Sequence, residues 1–149
     1  MSKTAVVAEA GTHVPAGLPW VVFSCEDRRY GVPLDCVSEI VTPRPFTRLP
    51  GAGREVCGLV GLHGRVITVF DLGAVLGLRS AASLPDHRLL LLELGARRVG
   101  AVVEDVVDIA PARIDARADA PGVVGTGHMA DTAFTALDPR SLLGRLLPG

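Results

Sequence analysis

Apolar residues in this chain fall in short runs, each closed by a turn signal, and the runs predict paired strands rather than long helices. Trp20–Cys25 and Tyr30–Leu34 flank the charged turn Glu26-Asp27-Arg28-Arg29, which predicts a first hairpin. Asp35–Val41 is read as a short turn of helix followed by a strand. The prolines Pro43, Pro45 and Pro50, with Gly51-Ala52-Gly53, mark an irregular connection. Cys57–Leu62 and Val66–Phe70 then flank His63-Gly64, the form of a hairpin with a tight turn. Asp71 is a good N-cap, and Leu72, Val75 and Leu76 follow at helical spacing. Arg79–Asp86 reads as a linker. Beyond it come Leu89–Leu94, the turn Gly95-Ala96, and Val99–Val103, with a polar-apolar mix to Ile109. Pro111–Pro121, rich in alanine, aspartate and arginine, is expected to be a loop. Gly122–Thr126 and Thr132–Leu137 predict a last hairpin. Asp138-Pro139 opens a C-terminal helix with its N-cap and N1 proline in favoured places.

The second half repeats the first. Arg28-Arg29-x-Gly31 recurs as Arg97-Arg98-x-Gly100, and Asp35-x-Val37-x-Glu39-Ile40 as Glu104-x-Val106-x-Asp108-Ile109, both at an offset of 69. At an offset of 67, Gly58 matches Gly125, Thr68 matches Thr135, and Asp71 matches Asp138. Matches in one order at nearly one period predict two lobes of one design. Each lobe would hold four or five strands in fewer than about 70 residues, and so would close into a small barrel rather than leave edges bare.

The central stretch, Val56 to Leu76, resembles the G-(V/I)-x-N-L-R-G-x-(V/I)-x-P-(V/I)-x-D-L segment of the CheW-like domain family, whose members are scaffolds coupling bacterial chemoreceptors to a histidine kinase. Further elements follow in family order: Tyr30-Gly31-Val32, Val37–Ile40 and Leu49-Pro50. The resemblance covers Val21 to Leu147. It implies an all-β fold of two SH3-like five-stranded barrels with short helices and a C-terminal helix, packed with a hydrophobic groove between them. The expected organisation is a mobile tail over Met1–Pro19, then lobe one over about 20–80 and lobe two over about 86–149, with strands open to exchange between lobes.

The same resemblance implies a partner-contacting set of Val37, Glu39, Gly58, His63 and Arg65, with Gly64, Asp71, Gly100 and Asp138 in structural roles. Val37 and Glu39 would share a strand face and meet the kinase regulatory domain. Read on their own residues, Glu39 also fits a solvated strand position and Arg65 an ordinary turn charge. Where the family motif has Asn-Leu-Arg-Gly, this chain has Gly61-Leu62-His63-Gly64, and Thr68 stands where proline is expected. Histidine lacks arginine's bidentate fork, so the resemblance implies a member with one partner surface altered. Implied partners are the cytoplasmic tip of a chemoreceptor and a histidine kinase regulatory domain or other CheW-like proteins.

Composition removes other classes. Lys+Arg 15 against Asp+Glu 16 leaves a net charge of −1, which argues against a nucleic-acid binder. No apolar run approaches the ~20 residues of a membrane helix, and the start of the chain has no signal-peptide pattern, so a cytoplasmic protein recruited to receptor clusters is expected. Cys25, Cys36 and Cys57 lie far apart, and with His13, His63, His87 and His128 they form no usual ligand spacing. Asp86-His87 near Ser80 and Ser83 lacks a nucleophile elbow, and Gly58, Gly61 and Gly64 lead into a strand rather than a phosphate-binding helix. We therefore expect no metal, no cofactor and no catalytic residues. The alternative is a small two-barrel ligand-binding or enzymatic domain using the groove between lobes.

Overall fold

The computed structural model of the chain describes residues 17–117 and 120–147. The expected mobile tail therefore lies outside the described residues up to position 16, as does His13. Ten strands follow: β1 (Leu18–Cys25), β2 (Arg28–Pro33), β3 (Val37–Val41), β4 (Val56–Leu62), β5 (Arg65–Asp71), β6 (Arg88–Leu94), β7 (Arg97–Val103), β8 (Asp105–Ala116), β9 (Val123–His128) and β10 (Ala133–Leu137). A 3-10 turn, Leu34–Cys36, precedes β3, and helices α1 (Leu72–Val75) and α2 (Pro139–Gly144) follow β5 and β10. The first turn is tighter than its four charged residues suggest. Only Glu26 and Asp27 form it, both at positive φ (51° and 63°), and Arg28 already belongs to β2.

The strands make two five-stranded sheets, an all-β fold. One is a closed barrel in the order β1-β2-β10-β9-β8, and the other has the order β3-β6-β7-β5-β4. Each sheet takes two strands from one repeat and three from the other. The units are therefore not the sequential stretches 20–80 and 86–149; of the described residues, unit one comprises 17–22, Arg29–Asp35 and 107–147, and unit two Phe23–Arg28 and Cys36–Val106. The physical reason lies in two parallel pairings, β2 with β10 and β5 with β7. A tight hairpin joins only antiparallel strands, so a parallel neighbour must come from a distant part of the chain. Here that part is the other repeat.

The closed barrel is filled by Trp20, Val22, Ala112, Ile114, Met129, Phe134 and Ala136. Trp20 and Phe134 meet at 5.7 Å between ring centroids, inclined at 49°. The Phe134 ring lies over two glycines, and a Cβ on Gly127 would stand 2.1 Å from Phe134 Cζ while one on Gly31 would stand 2.5 Å from Cε2. The expected loop over Pro111–Pro121 is corrected as far as residue 116. Its first part continues β8, with Ala112 and Ile114 buried and their neighbours exposed. Pro111 is tolerated because the β8–β9 register begins only at Arg113.

Unit two packs Val41, Val60, Leu62, Ile67, Val69, Leu89, Leu91 and Val102 around Ala81, a residue of the supposed linker. Asp71 explains why that segment is fixed. It ends β5 and is only 3% exposed. Its carboxylate accepts from the amides of Ala74 (3.3 Å), Ala81 (2.9 Å) and Ala82 (3.3 Å) and from the Ser80 hydroxyl. One buried anion thus caps α1 and latches residues 80–82. Gly100, at the parallel β5–β7 pair, allows the strands to approach: its Cβ would lie 2.9 Å from Leu89 Cδ1 and 3.1 Å from Val69 Cγ2. In unit one Asp138 caps α2, accepting from the amides of Arg140 (3.1 Å) and Ser141 (3.3 Å), but it is exposed.

The two caps should differ in cost. Asp71→Ala strands several buried donors and is expected to destabilise by roughly 3 kcal/mol, whereas Asp138→Ala should cost about 1 kcal/mol. Equal losses in urea titration would contradict this account of Asp71. Gly127→Ala forces an atom into the Phe134 ring, which cannot retreat over Gly31, and should cost about 1–3 kcal/mol. Gly61→Ala, where nothing lies within 4 Å, is the control and should stay within about 0.5 kcal/mol.

Candidate functional site

Of the proposed contact residues, His63 and Arg65 lie at the β4–β5 turn of unit two, and Glu39 meets His63 there. Leu62 pairs with Arg65, leaving His63 and Gly64 as a two-residue loop. Both take positive φ, 52° and 75°, the conformation that matches the strand twist in such a hairpin. Gly64 adopts it freely; His63 is held there and is thereby pushed outward.

Outward placement brings His63 to Glu39. The imidazole Nε2 lies 2.8 Å from Glu39 Oε1, with the side chains 59% and 41% exposed. Nothing in the sequence links these two segments, 24 residues apart. The contact joins β3, at one border of the second sheet, to the turn that follows β4, the strand at the other border. In so exposed a position the pair adds little stability, and both groups stay open to a partner.

Val37 is placed differently from expectation. The β3–β6 register slips between Val37 and Glu39, so that Val37 stands opposite Leu92 and Glu39 opposite Leu91. Neighbouring residues on β6 point to opposite faces, so Val37 and Glu39 do not share one face. The cause is the extra residue Ser38, whose hydroxyl donates to Leu91 O at 3.2 Å. Gly58 also departs from the contact set. It is buried at a second register slip, with φ 145°, and a Cβ there would be 2.3 Å from the Thr47 carbonyl oxygen. Its role is to let the 43–50 connection close on β4, where Thr47 and Leu59 exchange two backbone hydrogen bonds of 2.8 Å. Arg65 is exposed at the start of β5.

One surface residue escaped the sequence reading. Val66 is 74% exposed, the most open of the large apolar side chains among the described residues. It stands opposite Gly61, which has no side chain to cover it. The signal was available: a two-residue turn at His63-Gly64 fixes the register and pairs Gly61 with Val66. Counting Val66 only as part of an apolar run hid that. Val66 is an uncovered apolar side chain on the strand that follows the turn carrying His63, whose imidazole meets Glu39.

The remaining chemistry is quiet. Burial pushes the Cys25 thiol up to about 12, and burial with the nearby Asp71 charge does the same for Cys57, so neither is a thiolate at neutral pH. Among the described residues no group of three or more His, Cys, Asp or Glu could hold a metal ion. No helix among them is long and apolar enough to cross a membrane.

Comparison with known proteins agrees with this fold. The chain is 31% identical over 93 residues to the chemotaxis protein CheW of Rhizobium meliloti (strain 1021), covering 62% of this chain and 60% of that protein. It is 26% identical over 96 residues to the chemotaxis protein CheW of Bacillus subtilis (strain 168), covering 64% of this chain and 62% of that one. The match thus spans about three fifths of these relatives' length. Among solved structures, the scaffolding protein TtCheW from Thermoanaerobacter tengcongensis superposes with a TM-score of 0.77 at 23% identity, covering 87% of this chain and 93% of that chain. The CheW-like domain model matches residues 19–146, nearly every residue from β1 to α2, and the chain belongs to the CheW-like domain family.

Proposed function

We propose that this chain is a non-enzymatic adaptor of a bacterial chemosensory pathway, working in the cytoplasm and coupling chemoreceptor tips to a histidine kinase regulatory domain or to other CheW-like proteins. The observation that carries this reading is the exposed Glu39–His63 pair at the tip of the hairpin whose second strand leaves Val66 uncovered. It joins the two segments that the family resemblance assigns to partner contact. The printed names of the relatives, chemotaxis proteins and a scaffolding protein, support the same reading. The mechanism is passive. A rigid hairpin tip presents one apolar anchor and a charged rim, and affinity comes from a few such groups rather than from net charge.

Two measurements test this. Glu39→Ala should weaken binding to the cognate kinase regulatory domain by about tenfold while the variant stays folded. Unchanged affinity by calorimetry would return Glu39 to a solvated strand role. His63→Arg should cost little stability, within about 0.5 kcal/mol. It should strengthen binding to a conventional receptor or kinase partner by about 1 kcal/mol, because it restores a permanent charge with a five-donor fork. A folded arginine variant that gains nothing would mean the altered tip recognises a different partner.

A further inference from the structure

Unit two contains a second concave feature that shares no residue with the Glu39–His63 surface. The connection before β4, the start of α1 and the segment after Arg79 line an open cleft of about 580 Å³. That volume falls in the range of small-molecule sites. Its walls are preformed. Thr47 is tied to Leu59 on one side, and Asp71 holds Ser80, Ala81 and Ala82 on the other.

The polar groups facing the cleft are mostly spent on each other. The Ser80 hydroxyl donates to Asp71, and the Ser83 hydroxyl donates to Ser80 O at 2.8 Å. The one carboxylate in the lining, Asp71, is saturated by four donors. The Cys57 thiol, pushed up to about 12 by burial and by Asp71, adds no negative charge. Two guanidinium groups remain. Arg54 is steadied by donating through one terminal nitrogen to Leu78 O at 3.0 Å, which leaves its other donors available. Among the described residues Arg48 has no hydrogen-bond or ion-pair partner. The apolar share of the wall comes from Phe46, Leu49, Val56 and three alanines, Ala74 among them. The Phe46 ring stacks on the buried His87 ring at 6.0 Å and 23°, so it is fixed as a flat surface.

We propose that this cleft binds a small organic carboxylate, its charged end taken by Arg48 and Arg54 and its apolar body laid against Phe46. Two guanidinium groups against the single buried carboxylate of Asp71 leave the wall net positive, and that sets the charge of the ligand. The flat ring and the small aliphatic side chains set the character of the rest. This site stands independently of the adaptor reading.

The test is an NMR titration of the 15N-labelled full chain with sodium benzoate, alongside benzyl alcohol, sodium acetate and N-acetylphenylalanine. Benzoate should give saturable shifts at the amides of Phe46, Cys57 and Ala82. Benzyl alcohol, with the ring but no charge, and acetate, with the charge but no ring, should each bind about tenfold more weakly. Arg48→Gln and Arg54→Gln change exposed side chains, so both variants should keep the wild-type melting temperature and each lose benzoate affinity by about the same factor. Tighter binding of N-acetylphenylalanine than of benzoate would identify a polypeptide C-terminus as the source of the carboxylate, and weaker binding a free acid. Shifts that never saturate, benzyl alcohol binding as well as benzoate, or full benzoate affinity in the Arg48→Gln, Arg54→Gln double variant would each overturn the proposal.

Discussion

One buried carboxylate organises unit two. Asp71 terminates β5, caps α1 and holds the 80–82 segment, and through that segment it brings Ala81 into the core. An ionised group at this depth is stable only because four donors converge on it; with fewer it would be a liability. The carboxylate also forms part of the wall of the cleft that holds Arg48 and Arg54. A neighbouring polar cluster extends the order. Glu104 accepts from the Glu26 amide (2.8 Å) and from Arg79 Nε (3.2 Å), and the Arg79 amide donates to Glu26 (2.8 Å). Positions 79 to 82 are therefore fixed from two directions, and what reads in the sequence as a tether is a structural wall.

The corresponding position in the other repeat shows how duplicated sequence can acquire unequal energetics. Asp138 performs the same local task as Asp71, capping a helix after the last strand of its repeat. It lies at the surface, and among the described residues its carboxylate accepts only from the start of its own helix. The local rule, aspartate before a helix, is common to both. The difference lies in what surrounds each side chain, and burial decides how much the same hydrogen bonds are worth.

Turn chemistry and alternation were the legible parts of this chain. The hairpins around Glu26-Asp27, His63-Gly64 and Gly95-Ala96 follow from short-range rules, and both helix starts follow from an aspartate in the right place. The internal repeat was legible as well. What stayed hidden were effects of one residue's displacement or of distant pairing. Ser38 adds a residue to β3 and reverses which face Val37 takes, a change that no composition or period reports. Pro111 and the alanines and charged residues around it mask a strand whose alternation is visible only at Ala112 and Ile114. The meeting of His63 with Glu39 depends on which strands border the sheet, and that order depends on pairing between repeats.

The exchange of strands between repeats also governs when each part of the molecule can exist during synthesis. Every strand of the second sheet has been made once β7 is complete, so unit two can assemble early. Among the described strands the β1–β2 hairpin is made first, yet its parallel neighbour β10 is made last. Until Leu137 emerges, the edge of β2 that will receive β10 has no partner, in a part of the chain where Trp20 and Val22 await a core. Such an interval exposes apolar surface and an open strand edge to neighbouring chains. The order of the repeats thus sets a window of vulnerability that a tandem arrangement of self-contained lobes would lack.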